Sequence, residues 1–169
     1  MEIRTLQRDD AAALLKFELL NREWFEEFVL PRAESVYSPS GMAAHIDTCL
    51  HDYALGTMHP CIILDQDGHI VGRANLKDID PLECTTEIGY RISRQYISKG
   101  LATQAVSHLK DLAYGRWRLA RLLAFVTTEN PASARVLEKS GFVKGRLIES
   151  RSVLKTKILD CYQYSHELL

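Results

Sequence analysis

The chain has no apolar run approaching the roughly 18 residues that a membrane-spanning helix needs, and its start, "MEIRTLQRDD", carries no apolar export segment. It has no C-x-x-C pair. Cys49, Cys61, Cys84 and Cys161 stand singly, which excludes zinc-ligand spacing and a dithiol motif and makes them small core residues of a reducing compartment. His45, His51, His59, His69, His108 and His166 show neither a metal spacing such as H-E-x-x-H nor a recognisable nucleophile partner, so no metal is expected. An excess of charge of one sign is missing too. The net charge of -1 excludes a broad nucleic-acid or anionic-membrane footprint, and any anion site must be local. No internal repeat, linker or low-complexity segment interrupts the chain, and the expectation is a soluble, cytoplasmic protein.

What is present is a globular composition, 46% hydrophobic and 25% charged over 169 residues. That length fits one domain, residues 1–169, able to bury roughly 70% of the surface its unfolded chain exposes. "EIRTL" alternates like a short strand, and Asp9 or Asp10 then caps a helical stretch carrying Leu14, Leu15, Phe17, Trp24, Phe25 and Phe28, ended by Pro31. In "SGMAAHIDTCLHDYAL", Ser40 is the expected cap of a second helix with Met42, Ile46, Leu50 and Tyr53 on one face. "HPCIILDQDGHIVGRANLKDID" reads as a hairpin turned at Asp67-Gly68, a dipeptide suited to positive φ.

"CTTEIGYRI" is the next strand, with Ile88, Tyr90 and Ile92 on one face. A helix with Leu101, Ala105, Leu109 and Leu112 at helical spacing follows, then "LARLLAFVTT", an apolar run expected to be a strand buried on both faces. Strand, helix and buried strand make a βαβ unit with Glu87 to Ile92 parallel to Leu122 to Thr127. The most strongly punctuated helix is "NPASARVLEKSGF". Asn130 is its cap, Pro131 its first residue, Lys139 lies in its last turn, and Gly141 supplies the left-handed residue after it. Val143 to Leu168 completes the chain as two strands joined near Lys155-Thr156-Lys157.

Between the apolar strand and the helix after it stands "SKGLA". The first amides of a helix have no intrahelical partner and its dipole is positive there, so a small-residue start with no carboxylate can receive a phosphate. It can also be a plain strand-to-helix turn, for it lacks both G-x-x-x-x-G-K-[ST] and G-x-G-x-x-G. In context, "EIGYRISRQYISKGLATQAV", a buried strand and then "NPASARVLEKSGF" resemble the GNAT superfamily of acyl-CoA-dependent N-acetyltransferases, most closely its RimJ/RimL-like branch.

The resemblance covers about Arg4 onward and is most specific from Glu87 to Gly145. Gly100 and Ala102 match the family's Q/R-x-x-G-x-G/A loop, whereas Ile97 replaces its first Gln or Arg. It implies an α/β GNAT fold: a central mixed twisted sheet flanked by helices, whose two parallel strands splay after Gly89 to admit the pantetheine arm of acetyl-CoA as a pseudo-strand. It places that arm on the backbone of Tyr90 and Ile92. The pyrophosphate then lies on the amides of Ser98, Lys99, Gly100, Leu101, Ala102 and Thr103, and Asn130 and Ser133, the family's "N-x-x-S", face the pantetheine and the sulfur. The tyrosine acid that many members carry seven residues after this Asn is Leu137 here, as in RimJ/RimL-like enzymes, which shifts proton donation to Ser133.

The implied reaction is acetyl transfer from acetyl-CoA to a primary amine by direct attack in a ternary complex. A terminal α-amine costs only about 1 kcal/mol to deprotonate at pH 7, against about 4.6 for a lysine, so a modest base suffices. Glu87 is the candidate base, directly or through water; its other reading is a strand carboxylate balancing Arg91. Ser133 can instead bond locally at the helix start, and Asn130 can be a cap alone. Glu23, Glu26, Glu27 and Glu34 can attract a cationic acceptor or form a solvated helix face. The acceptor implied by the branch is a protein N-terminus of ribosomal type. A small amine, or a non-catalytic acyl-CoA-binding module, is the alternative, and a homodimer is left open.

Overall fold

The computed structural model describes residues 1–154 and 157–168. Seven strands form one sheet in the order β1-β2-β3-β4-β5-β7-β6: β1 (Glu2–Thr5), β2 (His59–Leu64), β3 (Ile70–Asp80), β4 (Thr85–Ile92), β5 (Arg121–Thr127), β6 (Val143–Leu154) and β7 (Lys157–Glu167). Among the described residues only β4 and β5 pair in parallel; every other neighbour is antiparallel. Two apolar clusters sit on opposite faces because side chains alternate along each strand. On β2, Ile62 and Leu64 join Leu14, Phe17 and Phe25 of α1 (Ala11–Glu26) and Met42 and Ile46 of α2 (Pro39–Leu55). Ile63 faces the other way, into the cluster with Ala105, Val106 and Leu109 of α3 (Leu101–Gly115) and Leu137 of α4 (Pro131–Lys139).

Several local expectations are corrected. Asp10 does not cap α1 with its side chain: its carboxylate accepts from the Gln7 N–H (2.8 Å) and from Arg4 (2.7 Å), closing a short 3-10 turn, Arg8–Asp10, ahead of the helix. Ser38 rather than Ser40 caps α2, accepting from the Gly41 N–H at 3.0 Å. Pro39 then takes the first helical position, where its fixed φ costs nothing and its missing N–H is not needed. In the β2–β3 turn only Gly68 has positive φ (+81°); Asp65 holds the loop by accepting from the amides of Asp67 and His69.

β5 is buried on one face only, through Leu122, Ala124 and Val126. Its other face is half-buried, with the Arg151 guanidinium 3.5 Å from the Phe125 ring centroid. α4 follows its punctuation: the Asn130 side chain accepts from the Ser133 N–H, and Gly141 has φ +84°. The turn at Lys155 and Thr156 lies outside the described residues, and β6 and β7 flank it as expected. Among the described residues no helix is long and apolar enough to cross a membrane.

Candidate active site

The parallel ladder between β4 and β5 stops at Glu87 opposite Leu123. Beyond it, β4 continues to pair with β3 as far as Ile92, and β5 with β7 as far as Thr127. The two strands therefore part after Glu87, two residues earlier than the Gly89 expected from sequence. From Ile88 onward the β5-facing edge of β4 has no strand partner, and an extended ligand can use such an edge.

A cavity of about 620 Å³ opens at this fork. Of the residues singled out from sequence, Tyr90, Ile92, Ser98, Gly100, Leu101, Ala102, Thr103, Asn130 and Ser133 line it. Lys99 and Glu87 do not. The Lys99 ammonium lies 4.7 Å from the Tyr96 ring centroid. Glu87 accepts from Lys77 and, at 3.2 Å, from Arg151, so its partners are those two cations, while Arg91 pairs with Glu18.

At one end of the cavity, Gly100 precedes α3 with φ +78° and Ser98 has φ +61°. Gln104 makes the first intrahelical bond, to the Gly100 carbonyl, which leaves the amides of Leu101, Ala102 and Thr103 free for an anion. A Cβ on Gly100 would meet nothing closer than 3.9 Å, so the position needs glycine for its backbone angle rather than for space. Arg135 and Lys139, one turn apart on α4, line the same cavity and supply further positive charge for a phosphate-bearing ligand. Lys139 is visible in the sequence only as a last-turn lysine. Its spacing from Arg135 was the available signal that both share a face.

At the fork itself, the Tyr90 hydroxyl lies 3.0 Å from Ser133 Oγ. Asn130 Oδ1 accepts from the Ser133 N–H at 3.1 Å, so the serine's backbone is fixed by the cap while its hydroxyl is free to pair with the tyrosine. Burial pushes the Tyr90 hydroxyl up to about 12, against a smaller opposing effect of the Ser133 hydrogen bond, and it remains a proton donor at neutral pH. Sequence reasoning assigned Tyr90 only its backbone and missed this hydroxyl.

The other end of the cavity is walled by Trp24, Phe25, Phe28 and Val29 from the end of α1 and the segment after it, with Arg91 beside them. Of the acidic side chains of this region, Glu26 and Glu34 both bind Arg22, whereas Glu23 and Glu27 are exposed. Glu18 is fully buried among Arg32, Arg73 and Arg91. Burial would raise its carboxyl, but Arg91, Arg32 and Arg73 together outweigh that and hold it below the usual carboxylate range.

A sheet forked between two parallel strands, with a helix N-terminus and basic side chains at one end and a hydroxyl pair at the fork, can take an extended ligand that carries an anionic group. Residues 1–143 match the family described as the acetyltransferase (GNAT) domain. The probable N-acetyltransferase YjcK of Bacillus subtilis (strain 168) is 32% identical over 150 residues, 84% of this chain and 80% of that one. Two solved structures share the fold. One is RimL, a ribosomal L7/L12 alpha-N-protein acetyltransferase in complex with coenzyme A, with TM-score 0.91 and 19% identity, covering 98% of this chain and 92% of that one. The other is a spermidine N-acetyltransferase from Vibrio cholerae in complex with CoA and spermine, with TM-score 0.84 and 18% identity, covering 99% and 95%. The chain belongs to the GNAT family and is an N-acetyltransferase of that type.

Proposed function

We propose that the chain transfers acetyl from acetyl-CoA to a primary amine by direct attack in a ternary complex, and that the acceptor is the N-terminal α-amine of a protein. The observation that carries the reading is the fork after Glu87 with the Tyr90–Ser133 hydroxyl pair beside it and the free amides of α3 beyond. In this reading the pantetheine arm runs along the unpaired edge of β4 at Tyr90 and Ile92. The pyrophosphate rests on the loop and helix start from Ser98 to Thr103, where the backbone of Lys99 takes part while its side chain packs on Tyr96. No metal is invoked. We extend the catalytic domain over residues 1–169, on the support that β6 and β7 join the same sheet, and place its action in the cytoplasm, which suits four free cysteines.

The amine attacks the thioester carbonyl, whose oxygen accepts from a strand amide near Tyr90. Ser133 donates a proton to the departing thiolate and is re-supplied by Tyr90, whose hydroxyl is held protonated by burial; Tyr90 recovers its proton from solvent, to which Glu87 releases the one taken from the amine. Glu87 stands at the last ladder pair, at the mouth of the fork, and receives the amine proton through water. Lys77 and Arg151 hold its carboxylate at that point. An α-amine suits so modest a base, because its deprotonation costs about 1 kcal/mol at pH 7.

A small-amine acceptor is the second reading, favoured by the likeness to the spermidine enzyme. Thiol release measured with protein N-terminal peptides and with spermidine separates the two. The Ser133→Ala, Glu87→Gln double variant should lose turnover while keeping its affinity for acetyl-CoA. A chain that binds acetyl-CoA and shows no acceptor-dependent thiol release is a binding module instead.

A further inference from the structure

The basic cluster beneath the α1 end of the cavity has more positive charge than the protein neutralises. Glu18 is its only buried carboxylate among the described residues, and three guanidiniums converge on it: Arg32 at 3.1 Å, Arg91 at 3.2 Å and Arg73 at 3.6 Å. His45 adds no negative charge. Its Nε2 accepts from Arg73 at 3.0 Å, so the ring is neutral, and burial with Arg73 beside it pushes its pKa down to about 4. The nearby acids, Glu26 and Glu34, are engaged by Arg22. The Nε atoms of Arg32 and Arg73 are buried without a hydrogen-bond partner among the described residues. Such a cluster is costly unless an anion completes it.

Arg91 is the member that reaches the cavity. One of its nitrogens donates to Glu18, its guanidinium lies 5.0 Å from the Phe25 ring centroid, and among the described residues its other nitrogens have no acceptor. Its side chain is 19% exposed, open enough to meet a ligand and dry enough for a charge-assisted pair to count. Beside it Phe25, Phe28 and Val29 form an apolar wall.

We propose that the acceptor amine carries a carboxylate and that Arg91 receives it, with an apolar part of the acceptor against Phe25, Phe28 and Val29. This rests on the acetyl-transfer reading and names its acceptor class: the side-chain carboxylate of an acidic residue next to a protein N-terminus, or the α-carboxylate of a free apolar amino acid. A polyamine brings positive charge to the same place and is disfavoured, because like charges in a partly dry site repel.

Thiol release is measured at saturating acetyl-CoA with peptides that differ only in having Asp, Asn or Lys after an N-terminal Ala, and with free leucine and spermidine. The Asp peptide or leucine should exceed the Asn peptide and spermidine in kcat/KM by about tenfold or more; which of those two leads identifies the source of the carboxylate. Arg91→Gln should abolish that lead and Arg91→Lys restore part of it, with acetyl-CoA affinity by calorimetry unchanged. The wild-type comparison stands even if an Arg91 variant folds poorly. Equal rates for the Asp and Asn peptides with leucine no better than either, or a preference for spermidine or the Lys peptide, would overturn the carboxylate proposal alone, whereas no transfer to any acceptor while acetyl-CoA binds would overturn it together with the transfer reading. Failure of acetyl-CoA to bind the wild type would overturn the reading beneath it.

Discussion

At the scale of single residues, the Tyr90–Ser133 pair has the most direct chemistry. Tyr90→Phe removes the hydroxyl and leaves the ring packed, so kcat should fall by about ten- to a hundredfold with little change in acetyl-CoA affinity. Ser133→Ala should fall at least as far, because it removes the hydroxyl proposed to protonate the departing thiolate. If the serine only served the helix start, both variants would retain full turnover in the steady-state assay. Glu87→Gln should lower kcat over the same range and raise its dependence on pH, since a glutamine takes no proton; an unchanged pH–rate profile would assign Glu87 to its ion pairs with Lys77 and Arg151 alone. The face of Tyr90 was legible from the two-residue period of "EIGYRI". Its partner was not, because Ser133 lies 43 residues on and only the packing of α4 across the fork brings them together. Arg91 was misread for the same reason: its partner is Glu18, 73 residues away.

At the scale of elements, the start of α3 makes two demands, a left-handed residue at Gly100 and the absence of negative charge. Gly100→Asp violates both. It strains a backbone at φ +78° without a steric clash and places a carboxylate where a phosphate should rest, so acetyl-CoA affinity should drop by about tenfold or more while the melting temperature changes little. The seam between β1, β2 and the loop after α3 has a pH dependence. Trp117 Nε1 donates to His59 Nδ1 and His59 Nε2 bonds Thr5 Oγ1, both at 2.9 Å, so the buried ring is held neutral. Burial, with Arg116 adding, pushes its pKa down to about 4 from an ordinary 6.5. The stability this neutral ring contributes is fully present above pH 6.5 and lost as pH falls through 4. It amounts to roughly 2 kcal/mol or more between pH 7 and 4.5, and a flat profile of urea unfolding over that interval would contradict it. Elements punctuated by local chemistry, such as α4 with its Asn130, Pro131 and Gly141, were legible in full. The start of α2 was not, because Ser38 and Ser40 offer equal side chains and only the placement of Pro39 decides between them.

At the scale of the whole molecule, the βαβ unit in "EIGYRI" to "LARLLAFVTT" was enough to place the parallel pair, and the family resemblance to set it inside a mixed sheet. The point at which that pair parts was not legible, because no residue type marks it: β5 stays paired with β7 from Arg121 to Thr127 and β4 with β3 as far as Ile92, on both sides of the parting. The α1 end of the cavity was least legible of all: its walls come from α1 and the segment after it, and its charge from Arg91 of β4, joined only in three dimensions. The most direct test of the central claim is calorimetric titration of acetyl-CoA into the purified protein, with desulfo-CoA and ATP as comparison ligands. The fork and the α3 cradle predict micromolar acetyl-CoA binding, retained in large part by desulfo-CoA, which carries the same arm and diphosphate, and much weaker for ATP. No binding to either CoA species would mean that "SKGLA" is only a turn and that the fork does not hold a pantetheine arm.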